Sequence, residues 1–325
     1  MNAVRCWRFF SPSSATRSRA FFVSLLWVAC GCGVDSTIGS EEPFAILGGQ
    51  FFDGILPRTD KDDAEDLPVV TSPIASTLAL RERLSGVTFS GTASSTAQSV
   101  AFQFEGLGSG YWLIPTGARD PQDPNILAYS FTADLQAALP AGQQTLLAVA
   151  FDAEGRPGPE TKTNLCIRSL RPDNGNACFP QIAPPALVVS IEWSRAVDLD
   201  IALVAPDERI VNSKQPSLPG EDPSSPPLAR LVLDANADCH LDARQREDIV
   251  FDNLPPSGSY QVYVSLARTC GESQVSYEAS FTARTSEAGG NYGVRTKPLG
   301  GGMLTATQVN PNGSLGTYVA KVAVQ

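Results

Sequence analysis

The residues best suited to chemistry lie in one short segment, 234–242, which reads DANADCHLD. Four of its side chains carry carboxylate or amide oxygens: Asp234, Asn236, Asp238 and Asp242. Calcium is a hard cation that takes six to eight oxygen ligands, so closely spaced Asp and Asn side chains suit it. The segment therefore predicts a calcium site built from these four residues.

The segment begins like the calcium loop of an EF-hand and then departs from it. Position six of that loop requires a glycine, and position twelve requires a glutamate. Here they are Cys239 and Gln245, and no helical pattern flanks them. Two interpretations stay open. One is a loop-type calcium site, which Asp198, Asp200 and Glu247 join from neighbouring strands. The other is an acidic turn whose Asp and Asn side chains cap the backbone.

Two regions show the alternation of apolar and polar residues that is typical of β-strands. In residues 76–170 the runs cover 86–93, 99–106, 110–117, 126–133 and 144–158. In residues 186–325 further runs include ALVVSIEWS, VDLDIALVAP and GSYQVYVSLAR. No segment combines helical periodicity with helix caps. We therefore predict an all-β fold with two antiparallel β-sandwich domains in tandem, the first of them immunoglobulin-like.

Turn-rich residues 171–185 separate the two regions and form a connector that we expect a Cys166–Cys178 disulfide to hold. No C-x-x-C motif occurs, which disfavours zinc and thioredoxin-type sites. We expect disulfides between sequence neighbours, Cys166 with Cys178 and Cys239 with Cys270, although four cysteines allow three connectivities. Disulfides of this kind form outside the cytoplasm.

The N-terminus has the pattern of an export signal. Residues 1–20 carry four arginines and no acid, and the apolar run FFVSLLWVA follows. This run is too short to span a bilayer, which takes about 20 residues. The small residues before Cys30 and Cys32 resemble a bacterial lipobox, which implies acylation of Cys30 or of Cys32. We predict a lipoprotein signal peptide at 1–29 and a disordered acidic tether at 30–75 that includes TDKDDAEDLP.

Charge and composition restrict the function. The 325-residue chain has a net charge of −10 and a single histidine, His240. A nucleic-acid partner requires a basic face, so we expect none. The sequence shows no coherent set of nucleophile and base, and no G-x-S-x-G, so we expect no enzyme. Tyr111 and Trp112 could stack on sugars if exposed, but the apolar strand favours a core position for Trp112.

An ordered set of motifs in residues 178–284 resembles a known family. The motifs are VDLDIALVAP, the D-x-N-x-x-C-x-x-D spacing of the acidic segment, EDIVF and PPSGSYQVYV. Together they resemble a β-sandwich domain of bacterial lipoproteins and secreted proteins, similar to pre-peptidase C-terminal domains. The resemblance implies a structural role, with calcium as a recurring ligand and no assigned activity.

These observations predict a lipid-anchored protein of the cell envelope, on the periplasmic side or at the cell surface. Its expected role is structural or adhesive binding of a protein or polysaccharide partner, with calcium as the one expected cofactor. The alternative is a secreted hydrolase or a carbohydrate-binding accessory protein. An exposed cleft in which carboxylates and aromatic rings converge would favour that alternative.

Overall fold

The fold consists almost entirely of antiparallel strands. The computed structural model describes residues 41–60, 66–77, 79–220, 224, 226–242, 244–311 and 315–325. Apart from strands, these residues form three single-turn 3₁₀ helices and no α-helix. The all-β prediction is therefore confirmed. The predicted signal peptide at 1–29 and both candidate lipidation residues, Cys30 and Cys32, lie outside the described part of the chain.

The first region contains nine strands in two sheets. They are β1 (Phe44–Ile46), β2 (Gln50–Asp53), β3 (Ile74–Ala75), β4 (Val87–Ser94), β5 (Ser99–Phe104), β6 (Gly110–Pro115), β7 (Ile126–Leu135), β8 (Gly142–Phe151) and β9 (Thr161–Ile167). One sheet has the order β1-β7-β4-β3 and the other β2-β6-β5-β8-β9. Inward-facing residues of both sheets form one core, in which the ring of Phe131 packs against those of Phe89 and Phe102. The five runs predicted in this region all coincide with strands.

The predicted tether at 30–75 is wrong for the residues that the structure describes from 41 onwards. β1 pairs with β7, β2 with β6 and β3 with β4. Phe44, Ile46 and Val70 are buried in the first core. The buried apolar residues of FAILGGQFFDGIL help to offset the entropy of ordering this part of the chain. Residues 61–65 of the charged run that follows lie outside the described part of the chain.

The second region contains ten strands. They are β10 (Leu187–Trp193), β11 (Asp198–Val204), β12 (Ile210–Val211), β13 (Ser217–Leu218), β14 (Ala229–Leu231), β15 (Arg246–Phe251), β16 (Gly258–Arg268), β17 (Gln274–Ser286), β18 (Tyr292–Thr305) and β19 (Thr317–Val324). The sheets have the orders β13-β14-β15-β10-β17-β18 and β12-β11-β16-β19. Every second residue of β10, β11 and β16 is buried between them, as the alternation predicts.

The two regions have separate hydrophobic cores but also contact each other. Arg171 donates a hydrogen bond to the hydroxyl of Thr296, and the Asn176 amide donates to the Tyr292 carbonyl. The domain limits 76–170, 171–185 and 186–325 therefore stay predictions. Both expected disulfides, Cys166–Cys178 and Cys239–Cys270, are present.

Candidate metal centre

Strand β11 supplies two of the three acidic residues that meet at one place. Asp198 and Asp200 alternate with the buried Leu199 and Ile201, so both carboxylates lie on the same face of the strand. Asp234 comes from the loop that joins β14 to β15. One carboxylate oxygen from each of the three aspartates lies within 4.8 Å of those from the other two. This cluster could hold a metal ion.

Burial and mutual repulsion raise the pKa values of the cluster. Loss of hydration, followed by repulsion from Asp198 and Asp234, raises the pKa of Asp200 to about 7. Loss of hydration is also the main cause that raises the pKa of Asp198 to about 6. The pKa of Asp234 is raised as well, first by partial loss of hydration and then by repulsion from Asp238, although the residue is still exposed. Three carboxylates this close repel one another, and a bound cation would relieve that repulsion.

A fourth carboxylate, Glu247, lies behind the cluster in the interior. Its side chain is 1% exposed, and it accepts hydrogen bonds from the backbone N–H groups of Ile201 at 2.8 Å and Ala235 at 3.0 Å. Burial raises its pKa well above the ordinary value, and Asp200 and Asp234 add to the effect. Glu247 joins β11 to the loop that carries Asp234. It is therefore a positioning residue for the cluster.

Three of the four loop residues predicted as ligands form hydrogen bonds or an ion pair within the protein instead. Asn236 is buried, its amide N–H groups donate to the carbonyls of Val197 and Arg244, and its oxygen accepts from the N–H of Asp242. Asp238 is exposed and pairs with Arg268. Asp242 caps a turn by accepting from the N–H of Arg244.

The cluster that could hold an ion therefore differs from the predicted set of ligands. Asp234 belongs to the cluster, while Asp238 and Asp242 are not members of it. Asp238 lies beside it and acts on Asp198 and Asp234 through its charge, and Asn236 uses its side chain on backbone groups. Asp198 and Asp200, first considered as additional ligands, supply two of the cluster's three members. The sequence indication for Asp198 and Asp200 was their D-x-D spacing, which places both carboxylates on one face of an amphipathic strand.

The loop is held in an uncommon backbone conformation. Asn236, Asp238 and Cys239 all have positive φ angles, between 51° and 63°. Asn and Asp tolerate this region, whereas other residues pay about 1–2 kcal/mol for it. The Cys239–Cys270 disulfide ties the loop to the segment after β16, and the N–H of Asp238 donates to the carboxylate of Asp198 at 2.9 Å. These bonds fix the loop beside β11.

The three aspartates provide a hard, anionic oxygen donor set. Such a set suits calcium or magnesium rather than soft metals. Three carboxylates offer at most six oxygens, and calcium completes its coordination with carbonyl or water oxygens. Next to the cluster, the Ser213 hydroxyl and the Lys214 charge both lower the pKa of Asp200 without overcoming the burial effect.

The aromatic residues considered for sugar binding lie on the first region, far along the chain from the cluster. The Trp112 indole N–H donates to the Phe44 carbonyl at 2.9 Å, and its ring packs against the first core. Tyr111 stacks on Phe52, with ring centroids 5.4 Å apart. Both side chains are half-buried. Trp112 therefore packs against the edge of the first core and is not fully buried in it.

Comparison with known proteins gives no family for this chain. No protein-family model matches it, and no curated protein matches it. Among solved structures, dimeric latent PorU from Porphyromonas gingivalis is 10% identical with a TM-score of 0.23. That match covers 71% of this chain and 20% of PorU, so the chain spans a fifth of that protein.

The C-terminal domain of the AgI/II polypeptide BspA from Streptococcus agalactiae is similar to the same degree. It is 10% identical with a TM-score of 0.20, over 70% of this chain and 97% of that domain. Likenesses this weak carry no argument about function.

Two observations bear on where the protein resides. In the described ranges, no helix is both long and apolar enough to cross a membrane. Separately, two disulfides persist in an oxidising compartment and are rare in the cytosol. The disulfides indicate an extracytoplasmic protein.

Proposed function

We propose that this protein is a non-catalytic lipoprotein of the cell envelope, anchored through Cys30 or Cys32, whose β-sandwich regions serve structural or adhesive binding. In this proposal the Asp198–Asp200–Asp234 cluster binds calcium and stabilises the second region. The convergence of three carboxylates within 4.8 Å is the observation that carries the calcium assignment. The N-terminal sequence supports the lipid anchor, and the disulfides support export from the cytoplasm.

The geometry favours a structural role for the ion. The cluster joins β11 to the loop before β15, and these elements belong to opposite sheets of the second region. A cation there would link the two sheets at the end of the core. Calcium of this kind stabilises the folded state by mass action, since the unfolded chain has no preformed site.

Thermal unfolding of the purified protein with both disulfides intact, in EDTA and in excess calcium, tests the calcium assignment. Free calcium at ten times Kd adds about 1.4 kcal/mol to the free energy of unfolding. Asp234→Asn should abolish the shift. Asp252→Asn, which replaces a half-buried aspartate paired with Arg230, is the matched control and should retain the shift.

An unchanged melting temperature at every calcium concentration would contradict the assignment. The anchor has its own test, because mass spectrometry of the N-terminal peptide from cell membranes should show an acylated cysteine. An unmodified N-terminal peptide would contradict the lipoprotein proposal and leave the calcium assignment intact.

A further inference from the structure

A groove between the two regions collects arginines in an otherwise acidic protein. The cavity has a volume of about 810 Å³ and is lined by six arginines: Arg81, Arg83, Arg168, Arg171, Arg244 and Arg246. We call it the arginine groove. Because the whole chain has a net charge of −10, six guanidinium groups on one surface are a marked segregation of charge.

The acids in the groove do not neutralise it. One carboxylate, Glu192, is shared by Arg83, Arg171 and Arg246. Asp248 pairs with Arg246 alone, and Asp173 accepts hydrogen bonds from the N–H groups of its own turn.

The fourth acid of the lining, Glu247, bonds on the interior side to β11 and to Ala235. Arg81 and Arg168 form no ion pair with any described residue within 4 Å. Just outside the lining, Asp242 lies 4.0 Å from Arg244. The positive charge left without an ion pair in the groove is therefore that of Arg81 and Arg168.

The same groove exposes apolar side chains. Phe179, Ile182 and Val232 all line it, and they are 46%, 40% and 43% exposed. Exposed large apolar groups beside unpaired arginines are typical of surfaces that bind a partner. Arginine forks bind carboxylates in a bidentate way.

We infer that the arginine groove binds an acidic segment of a partner protein, in which carboxylates alternate with apolar side chains. Charge complementarity selects the acidic groups, and Phe179, Ile182 and Val232 provide contacts that a polysaccharide without apolar side chains would not use. This inference rests on the proposed binding function and names the surface and the class of partner.

Fluorescence anisotropy with a fluorescein-labelled peptide of repeated Glu-Ser-Leu triplets tests the inference. The purified protein should bind this peptide, and rising salt should weaken the binding. Two altered peptides, with Gln-Ser-Leu or with Glu-Ser-Ser triplets, should each bind more weakly, because one lacks the charge and the other lacks the apolar groups.

Arg81→Gln with Arg168→Gln should weaken the binding by tenfold or more, since each charge-assisted hydrogen bond is worth on the order of tenfold in Kd. Neither side chain forms an ion pair with another described residue, so the variant should keep its melting temperature. Arg195→Gln with Arg295→Gln removes two exposed arginines outside the groove lining. This control should bind the peptide like the unaltered protein.

Equal affinity of the groove variant and the control variant would overturn the inference. So would groove-dependent binding of polygalacturonate in place of the peptide, which would assign the surface to an acidic polysaccharide. The calcium shift is measured on the same samples. If the protein shows the calcium shift and binds no peptide, only the inference about the arginine groove is contradicted. If it binds the peptide and shows no calcium shift, only the metal centre is contradicted.

Discussion

Replacing both Cys239 and Cys270 with serine should destabilise the protein and weaken calcium binding together. The two cysteines are 31 residues apart, so the chain-entropy relation gives a loss of about 3.5–4 kcal/mol of unfolding free energy. The bond also fixes the loop that carries Asp234. If its loss frees about one residue's backbone before the ion binds, calcium affinity falls about tenfold.

Urea unfolding with and without calcium measures both effects. The matched control replaces Cys166 and Cys178, which are 12 residues apart and lie outside the second region. That variant should lose about 3 kcal/mol and keep its calcium affinity. If the Cys239–Cys270 variant binds calcium as tightly as the unaltered protein, the disulfide does not hold the loop at the cluster, and this reasoning is refuted.

Three further predictions follow from single sites. Glu247→Ala should lower the free energy of unfolding by about 2–5 kcal/mol, because two buried N–H groups lose their acceptor. Glu247→Gln should lower it less, because the amide oxygen can still accept a hydrogen bond. Urea unfolding of the two variants measures the difference. Without calcium, the pKa values of Asp200 and Asp198, about 7 and about 6, lie above the unfolded value of 3.8. The folded state then binds protons more tightly than the unfolded state. The loss of folding free energy caused by the ionised carboxylates is therefore complete above about pH 7, and it shrinks as pH falls. The metal-free protein should thus resist urea better near pH 5.5 than near pH 8, a difference that Asp200→Asn should reduce. Gly91→Ala should cost about 1–3 kcal/mol, because the new methyl group would overlap the ring of Tyr129, whereas Ser90→Ala in the same strand should melt like the unaltered protein.

Much of the fold could be predicted because alternation reports burial directly. The strands β4, β7, β11 and β16 each have a buried face, and their large apolar residues recur with a period of two. The strands β8 and β10 are continuous apolar runs that are buried on both faces. Strand β18 was not among the predicted runs. It is mostly exposed and contains Pro298 and three consecutive glycines, so only its backbone pairing with β17 makes it a strand. Pairing of this kind leaves little trace in the sequence.

The candidate site was predicted only in outline, for a physical reason. The prediction from sequence spacing assumed that side chains at alternate positions of the loop point in the same direction. The loop instead turns through left-handed residues, so Asn236 points inward to cap carbonyls and Asp238 points outward to Arg268. The partners of Asp234 come from β11, more than thirty residues earlier, and only the folded chain shows that contact.

Isothermal titration of calcium into the metal-free protein tests the central claim most directly, on three proteins side by side. The unaltered protein and Asp238→Asn should each bind one calcium ion per chain with similar affinity, since Asp238 is exposed and paired with Arg268. Asp200→Asn should lose binding, since it removes a central charge of the cluster. If calcium binding survives Asp200→Asn and disappears in Asp238→Asn, the account is contradicted. The ion would then be bound by residues of the 234–242 loop without Asp200.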